Sequence, residues 1–254
     1  MIDQRSTSWK ILRLGKITAS EIYVLMKDRK EPMTEEELAE WKAANPKSRV
    51  TTKTAPFSDA TFTYLNRKVM ENFLPKDDEL MITGYLDWHD ISSRAMDFGT
   101  EWEADARAYY SEIMEVGVDE SEFIPYKKYP NLVGGSPDGL NNDGLGGLEI
   151  KNPFTLEKHM QHLLYKTPQD LKENDEQYYW QCVANMMFCE REYWDFMSYS
   201  PYISSDLKAK IIRIPKDDGE FKLLADRIDI AAEYMQKKLV ELSQINKIIT
   251  DYGE

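Results

Sequence analysis

The order of elements along this 254-residue chain predicts a mixed α/β (α+β) architecture, with a central mixed β-sheet flanked by helices. Three observations carry that expectation. Amphipathic helical patterns dominate the first part of the chain. Short β-rich segments separated by turn signals follow between residues 122 and 151. Helices, two further strands and one long helix then complete the chain.

Residues 18–27 (TASEIYVLMK) read as a helix, with Thr18 or Ser20 as its cap and Ile22, Leu25 and Met26 at helical spacing. Residues 34–44 form a short acidic helix. Thr34 and Glu37 fit a capping box, and Asn45-Pro46 ends it. The polar stretch 47–56 reads as a loop. Residues 58–73 are strongly amphipathic and begin at Ser58 or Asp59. Over 100–116, Trp102, Ala106, Tyr109, Tyr110 and Ile113 keep a 3.6-residue rhythm. Residues 122–129 suit a strand, and 131–135 lead into a turn at Ser136-Pro137-Asp138-Gly139. Asn141-Asn142-Asp143-Gly144 is a second turn. Residues 148–151 form a short strand stopped by Asn152-Pro153. Residues 155–165 and 174–189 read as helices, and 193–199 and 210–214 as strands. A long C-terminal helix covers 217–248, its core face carrying Leu223, Leu224, Ile228, Ala231 and Met235. No Gly/Ser/Pro-rich linker divides the chain, so a single domain over 1–254 is expected.

Hydrophobic residues make up 42% of the chain, enough for a core and against wholesale disorder. No apolar run approaches the roughly 18 residues of a membrane helix. The start MIDQRSTSWK lacks an apolar signal core. A soluble, cytoplasmic protein is expected, with no membrane partner. Cys182 and Cys189 read as buried free thiols of a reducing compartment, and two cysteines cannot ligate an ordinary iron–sulfur cluster.

The net charge of −13 argues on its own against nucleic-acid binding. The distribution is uneven, however. Residues 1–30 hold seven Lys/Arg against three acids, whereas 97–122 hold nine acids against one arginine. A basic segment beside an acidic cluster suits a DNA enzyme that binds metal ions. The plain alternative is a solvated acidic surface.

The stretch richest in chemistry is Ser136-Pro137-Asp138-Gly139, followed after nine residues by Glu149-Ile150-Lys151. Side chains alternate along a strand, so Glu149 and Lys151 share a face while Ile150 enters the core. If the two segments pair as a hairpin, Asp138 and Glu149 converge. Adjacent carboxylates repel unless a cation sits between them. The Ile150 carbonyl stays near the site. Mg²⁺ favours such hard carboxylate oxygens, and Mn²⁺ can replace it. Phosphodiester cleavage needs an activated water, neutralised phosphate charge and a stabilised leaving oxygen. Metal ions on carboxylates with a lysine alongside meet those needs. An ordinary turn followed by a surface Glu149/Lys151 ion pair is the alternative.

More ordered blocks accompany this PD…ExK pattern. They are Arg13-Leu-Gly-Lys16 with Thr18-Ala-Ser20-Glu21, Gly99-Thr-Glu-Trp-Glu103 with Asp105-Ala-Arg107, Leu148-Glu149-Ile-Lys151-Asn-Pro-Phe154, and Gln177-Tyr-Tyr-Trp-Gln181. Together they make the chain resemble the lambda-exonuclease-like, viral-recombinase (YqaJ-like) family of PD-(D/E)xK nucleases, from about residue 9 to residue 200. The resemblance implies a restriction-endonuclease-like core. It implies 5′-to-3′ digestion of one strand of linear double-stranded DNA from a 5′-phosphorylated end, leaving 3′ tails for phage-type recombination. It also implies two metal ions per site, a single-strand annealing protein as partner and a ring-shaped homotrimer. By position, Glu103 resembles the helix-borne ligand of a second metal, with Glu101 as its competitor. Asp138 resembles the bridging carboxylate. Glu149 and the Ile150 carbonyl resemble ligands of the hydrolytic metal, and Lys151 the catalytic lysine. Arg13, Ser20 and Ser136 match a 5′-phosphate pocket, although Ser20 also suits a helix cap. Lys27, Arg29 and Lys30 correspond to a DNA-gripping basic loop. Where relatives carry a Q-x-Q pair, this chain has Gln181 followed by Val183, which puts the role of Gln181 in doubt.

Two other constellations stand out. His159 and His162 have a spacing that can bind metal, but no third ligand is evident nearby. Tyr178, Tyr179 and Trp180 can stack on bases, yet their helical spacing before Met186 and Phe188 fits a core better. The rival functions are another PD-(D/E)xK endonuclease and a catalytically inactive DNA-end binding protein.

Overall fold

Ser6 opens the first helix, α1 (Thr7–Arg13), by accepting a hydrogen bond from the Trp9 amide at 3.2 Å. Lys10 and Arg13 occupy its last turn, at the negative end of the helix dipole. The computed structural model describes residues 6–89 and 94–251; residues 1–5 of the basic N-terminal segment fall outside that range. Strand β1 (Ile17–Thr18) follows, and then a 3₁₀ helix (Ala19–Met26) where an α-helix is expected over 18–27. Ile22 and Leu25 are both fully buried there. A three-residue spacing satisfies a 3₁₀ turn as well as an α-turn, so the pattern cannot distinguish them.

Strands β2 (Asp28–Pro32) and β3 (Thr52–Pro56) pair antiparallel across α2 (Glu35–Ala44). The expected loop over 47–56 is therefore half strand. Only Ala55 of β3 is buried, so no apolar alternation marks it and pairing alone defines it. The Thr34–Glu37 capping box forms as read, and Ser58 caps α3 (Asp59–Glu71). Helix α4 (Glu79–His89) carries a weak pattern, with only Ile82 buried, and is not anticipated. The expected helix over 100–116 is two helices, α5 (Arg94–Glu101) and α6 (Glu103–Met114), broken at Trp102 with φ −101° and ψ 4°. Ala106 and Tyr110 are buried as expected, but Ile113 is exposed, two residues before the left-handed Glu115 that ends the helix.

The remaining strands are β4 (Val118–Asp119), β5 (Ile124–Pro125), β6 (Val133–Gly135), β7 (Gly139–Asn141), β8 (Gly146–Lys151), β9 (Tyr193–Tyr199) and β10 (Ala209–Pro215). Only two residues of the strand expected over 122–129 form one. The main sheet runs β10-β9-β8-β7-β4, with β8 and β9 parallel and the other pairs antiparallel. A smaller sheet, β1-β6-β5, has one parallel pair and one antiparallel pair. The architecture is thus the predicted mixed α/β with helix-flanked mixed sheets.

The parallel β8–β9 pair needs a crossover. Helices α7 (Leu156–Leu163), α8 (Pro168–Asn174) and α9 (Glu176–Phe188) supply it. Helix α8 is an unforeseen element that starts on a Thr167–Asp170 capping box with Pro168 in its first turn. Helix α9 is buried almost all round, including Tyr179 and Trp180, so those rings are core rather than stacking surface. The long α10 (Asp218–Asp251) buries Leu224, Ile228, Ala231 and Met235, but Leu223 is exposed. Among the described residues no helix is long and apolar enough to cross a membrane.

Two features of this fold position the site. In the β7–β8 hairpin, Gly139 faces Leu148 and Leu140 faces Gly147, so the next step of the register sets Asp138 against Glu149. In addition, residues 136–138 carry the chain from the smaller sheet (β6) to the main one (β7). Because Gly147 has no side chain, the buried ring of its β9 partner Trp194 can lie across β8: a Cβ there would stand 2.2 Å from that ring. Gly147→Ala is expected to destabilise the protein by about 1–3 kcal/mol through overpacking, measured as a lower urea midpoint. An unchanged midpoint would show that the sheet can yield at this point.

Candidate active site

The first shared element of the site is a cavity of about 570 Å³ between the two sheets, α1 and the α5–α6 break. Arg13, Ser20, Glu103, Ser136, Asp138, Glu149, Ile150, Lys151 and Gln181 all line it. Residues spread over almost 170 positions of chain are therefore gathered at one place, in the size range of small-ligand pockets.

One end of the cavity is built around Arg13. Its Nη2 donates to the Ser20 hydroxyl at 3.0 Å and its Nη1 to the Ser136 hydroxyl at 3.3 Å. Trp9 lies under the guanidinium, 4.2 Å from ring centroid to Cζ, and its Nε1 donates to Ser136 Oγ at 3.1 Å. Burial lowers the Arg13 pKa from its ordinary value, while Glu21 supports the charge. Ser20 is not the helix cap: Thr18 holds that place without a side-chain cap bond. A planar cation with two hydroxyls beside it matches a terminal phosphate in shape and charge.

The other end holds the acids. The Asp138 carboxylate accepts a hydrogen bond from the Ile150 amide at 2.7 Å, tying the turn to β8. Glu149 is fully buried; its Oε1 accepts from Lys151 Nζ at 2.5 Å and its Oε2 from Asn185 Nδ2 at 3.3 Å. Burial, with Asp138 adding like charge, pushes the Glu149 carboxyl up to about 8. Burial works against the Lys151 ammonium, but Glu149 and Asp138 outweigh it and raise its pKa. Lys151 also lies 4.9 Å from the Tyr178 ring centroid and reaches Gln181 Oε1 at 3.5 Å. Ile150 packs with Leu148, Ala106 and Tyr110 on the opposite face, as the alternation requires.

Glu103 faces the cavity, whereas its competitor Glu101 is exposed and does not line it. Arg107 Nη2 donates to Glu103 at 2.8 Å, and Arg107 Nε donates to the Asp138 carbonyl at 2.8 Å. The arginine thus links the α6 acid to the turn. Among the described residues no three His, Cys, Asp or Glu side chains gather into a ligand cluster. Asp138 and Glu149 come together, and Glu103 is held a step away on its arginine. Three bare carboxylates would repel one another, and here Lys151 and Arg107 absorb that charge.

The donor set fits a hard divalent cation. Two carboxylates and Ile150 border one space, and burial, with Asp138 adding like charge, suppresses the ionisation of Glu149.

Gln181 is part of the site, and Val183 is buried in the core. The sequence reading missed Asn185, one α-turn beyond Gln181 and therefore on the same helix face. It missed Trp9 and Arg107's double contact as well. Lys27, Arg29 and Lys30 lie away from the cavity. Lys27 pairs with Glu176, Arg29 with Glu31 and the Phe57 carbonyl, and Lys30 with Thr54, on or beside the β2–β3 arm. His159 and His162 both bring Nδ1 to the Ser198 hydroxyl at 2.9 Å, a buried hydrogen-bonded pair.

Fold and cavity together define a class: a mixed α/β domain with a PD…ExK constellation at the edge of a hairpin, beside an arginine–serine cradle. The model of the YqaJ-like viral recombinase domain matches residues 8–192, and the chain belongs to that family. Among solved structures, LHK-Exo in complex with dAMP is similar at 23% identity and a TM-score of 0.69, covering 96% of this chain and 100% of that one. The alkaline exonuclease LHK-Exo from Laribacter hongkongensis aligns at 22% identity and a TM-score of 0.68, with the same coverage. A phage-related exonuclease from Haemophilus somnus 129PT aligns at 12% identity and a TM-score of 0.61, covering 89% of this chain and 96% of that one. No match arises among curated protein sequences.

The Glu149 environment has a consequence for stability. Unfolded, the group titrates near its ordinary 4.5, and folded near 8. The folded state therefore keeps a proton that the unfolded chain releases. This contribution is complete below pH 4.5 and is lost as pH rises through about 8. In chelator, the Tm is expected to fall across that window, and Glu149→Gln to flatten the fall. An equal slope in the variant would remove Glu149 as its source.

Proposed function

We propose that the protein is a metal-dependent 5′-to-3′ exodeoxyribonuclease. It degrades one strand of linear double-stranded DNA from a 5′-phosphorylated end and leaves 3′ single-stranded tails for phage-type recombination. The observation that carries this reading is the sharing of one cavity by the Arg13–Ser20–Ser136 cradle and the Asp138–Glu149–Lys151 set. The cradle anchors a terminal phosphate, and the next phosphodiester then lies toward the acids. Family membership and a fold shared with two chains described as exonucleases, one of them in complex with dAMP, support the same reading.

In this scheme Arg13 holds the terminal phosphate through paired N–H donors, with Ser20 and Ser136 as neutral partners. Lys151, kept cationic by its acidic neighbours, donates to the attacked phosphate and offsets charge as it builds. Gln181 and Tyr178 restrain the lysine, and Asn185 restrains Glu149. Asp138, Glu149, the Ile150 carbonyl and Glu103 would hold Mg²⁺ or Mn²⁺. Such an ion, or a pair of them, supplies charge neutralisation and an activated water. Digestion stepwise from an end follows from the phosphate anchor. A single-strand annealing protein is then the natural consumer of the tails, and a homotrimer around the duplex the natural assembly.

Linear DNA carrying 5′-phosphate ends is expected to lose nucleotides in Mg²⁺ but not in chelator, with 5′-hydroxyl ends cut more slowly and closed circles spared. Cutting of closed circles would favour an endonuclease instead. End binding without release of nucleotides would favour an inactive end-binding protein. Arg13→Ala is expected to erase most of the 5′-phosphate preference in the same assay; an unchanged preference would refute the cradle. Lys151→Ala is expected to lower kcat by at least about 10²-fold while leaving the circular dichroism spectrum intact. Wild-type turnover in that variant would remove Lys151 from the chemistry.

A further inference from the structure

Four aromatic rings meet at the mouth of the cavity. Phe98 of α5 lies 5.7 Å from Phe154, 5.9 Å from Tyr202 and 6.4 Å from Trp102, and Trp102 lies 6.0 Å from Tyr202. They come from three separate segments: the α5–α6 break, the turn after β8 and the turn after β9. Phe154 also lines the cavity itself. The cluster is not a core, for Phe154 is 55% exposed and Tyr202 73% exposed. Single exposed apolar side chains are ordinary, but a contiguous group of rings at the rim of a polar cavity is a surface with a use.

Resting on the nuclease reading above, we propose that this cluster is a stacking platform for unpaired nucleobases of the strand whose phosphate enters the cavity. A nucleotide joins a charged phosphate to a flat, largely apolar ring system, and the rim supplies the second half of that match where the Arg13 cradle supplies the first. The local electrostatics favour the same occupant. Of the three cations lining the cavity, Lys151 is paired with Glu149 and Lys158 with Asp175, each at 2.5 Å. The whole chain carries a net charge of −13. Beyond the terminal phosphate held by Arg13, a polyanion therefore gains little here from phosphate neutralisation. Stacking is insensitive to that charge and tolerates every base, because each has a π-face. Of the other rings the sequence offered for stacking, Tyr179 and Trp180 are buried, and Tyr178, which lines the cavity, is already stacked on Phe196.

The test compares a 5′-phosphorylated single-stranded oligonucleotide with the same oligonucleotide made abasic at its first four positions. Binding is read by fluorescence anisotropy in Ca²⁺. The wild-type protein is expected to bind the intact strand about tenfold more tightly than the abasic one. The Phe154→Ala/Tyr202→Ala variant is expected to bind the intact strand about tenfold more weakly and to lose the discrimination. Tyr202→Phe, which keeps the ring, is expected to behave as wild type. On tailed duplex in Mg²⁺ the double variant raises KM and keeps kcat. Equal wild-type affinity for the two strands, or undiminished affinity in the double variant, would overturn the platform. So would a shift in sedimentation coefficient without any change in DNA affinity, which would mark the rings as a contact between copies of this chain. Failure of the wild type to bind either strand would instead overturn the nuclease reading, and the platform with it.

Discussion

Hairpin register forces two acids together. With Gly139 opposite Leu148, the chain has no way to separate Asp138 from Glu149 without breaking the β7–β8 ladder. The Ile150 amide then pins the Asp138 carboxylate, and the full burial of Glu149 removes water that would screen its charge. What remains is a local excess of negative charge that something must neutralise. The Lys151 ammonium does so here, beside a Glu149 carboxyl whose ionisation burial disfavours, and in the proposed function a divalent cation would do so on the same donors. Much of the surrounding structure serves this arrangement. Gly147 lets β8 pack on Trp194, α9 brings Gln181 and Asn185 over the strand, and Arg107 spans from the α6 acid to the turn.

The second constraint is topological. Residues 136–138 are the passage between sheets, so Ser136 faces α1 and the smaller sheet while Asp138, two residues on, faces the main one. Phosphate-directed groups and acids are thereby held at a short fixed separation without any long loop. In the proposed function that separation would measure one nucleotide, and a single arginine, stacked on Trp9 and flanked by hydroxyls, would anchor the terminal phosphate in an otherwise acidic protein.

The parts legible in the sequence were those set by local rules. Strand alternation put Glu149 and Lys151 on one face and Ile150 on the other, and turn residues placed Asp138 beside them. The Thr34–Glu37 box and the Ser58 cap announced their helices. What escaped depends on distant partners. Strand β3 has no apolar rhythm and exists because β2 pairs with it, which turned an expected basic loop into a strand with its cations already engaged. The break at Trp102 interrupts a rhythm that continues on either side. Glu103 faces the cavity where Glu101 does not, but its hydrogen bond from Arg107 was not foreseen, and among the described residues the three acids form no single cluster. Asn185 was within reach, since it sits four residues after Gln181, yet nothing in the sequence alone shows that Glu149 lies beneath it.

The proposed function stands or falls with cation binding at the Asp138–Glu149 pair. The most direct measurement is an anomalous difference map from crystals soaked in Mn²⁺. A peak about 2.1 Å from oxygens of both carboxylates and the Ile150 carbonyl is the expected result. Manganese bound only elsewhere on the acidic surface, with that pair left bare, would contradict it.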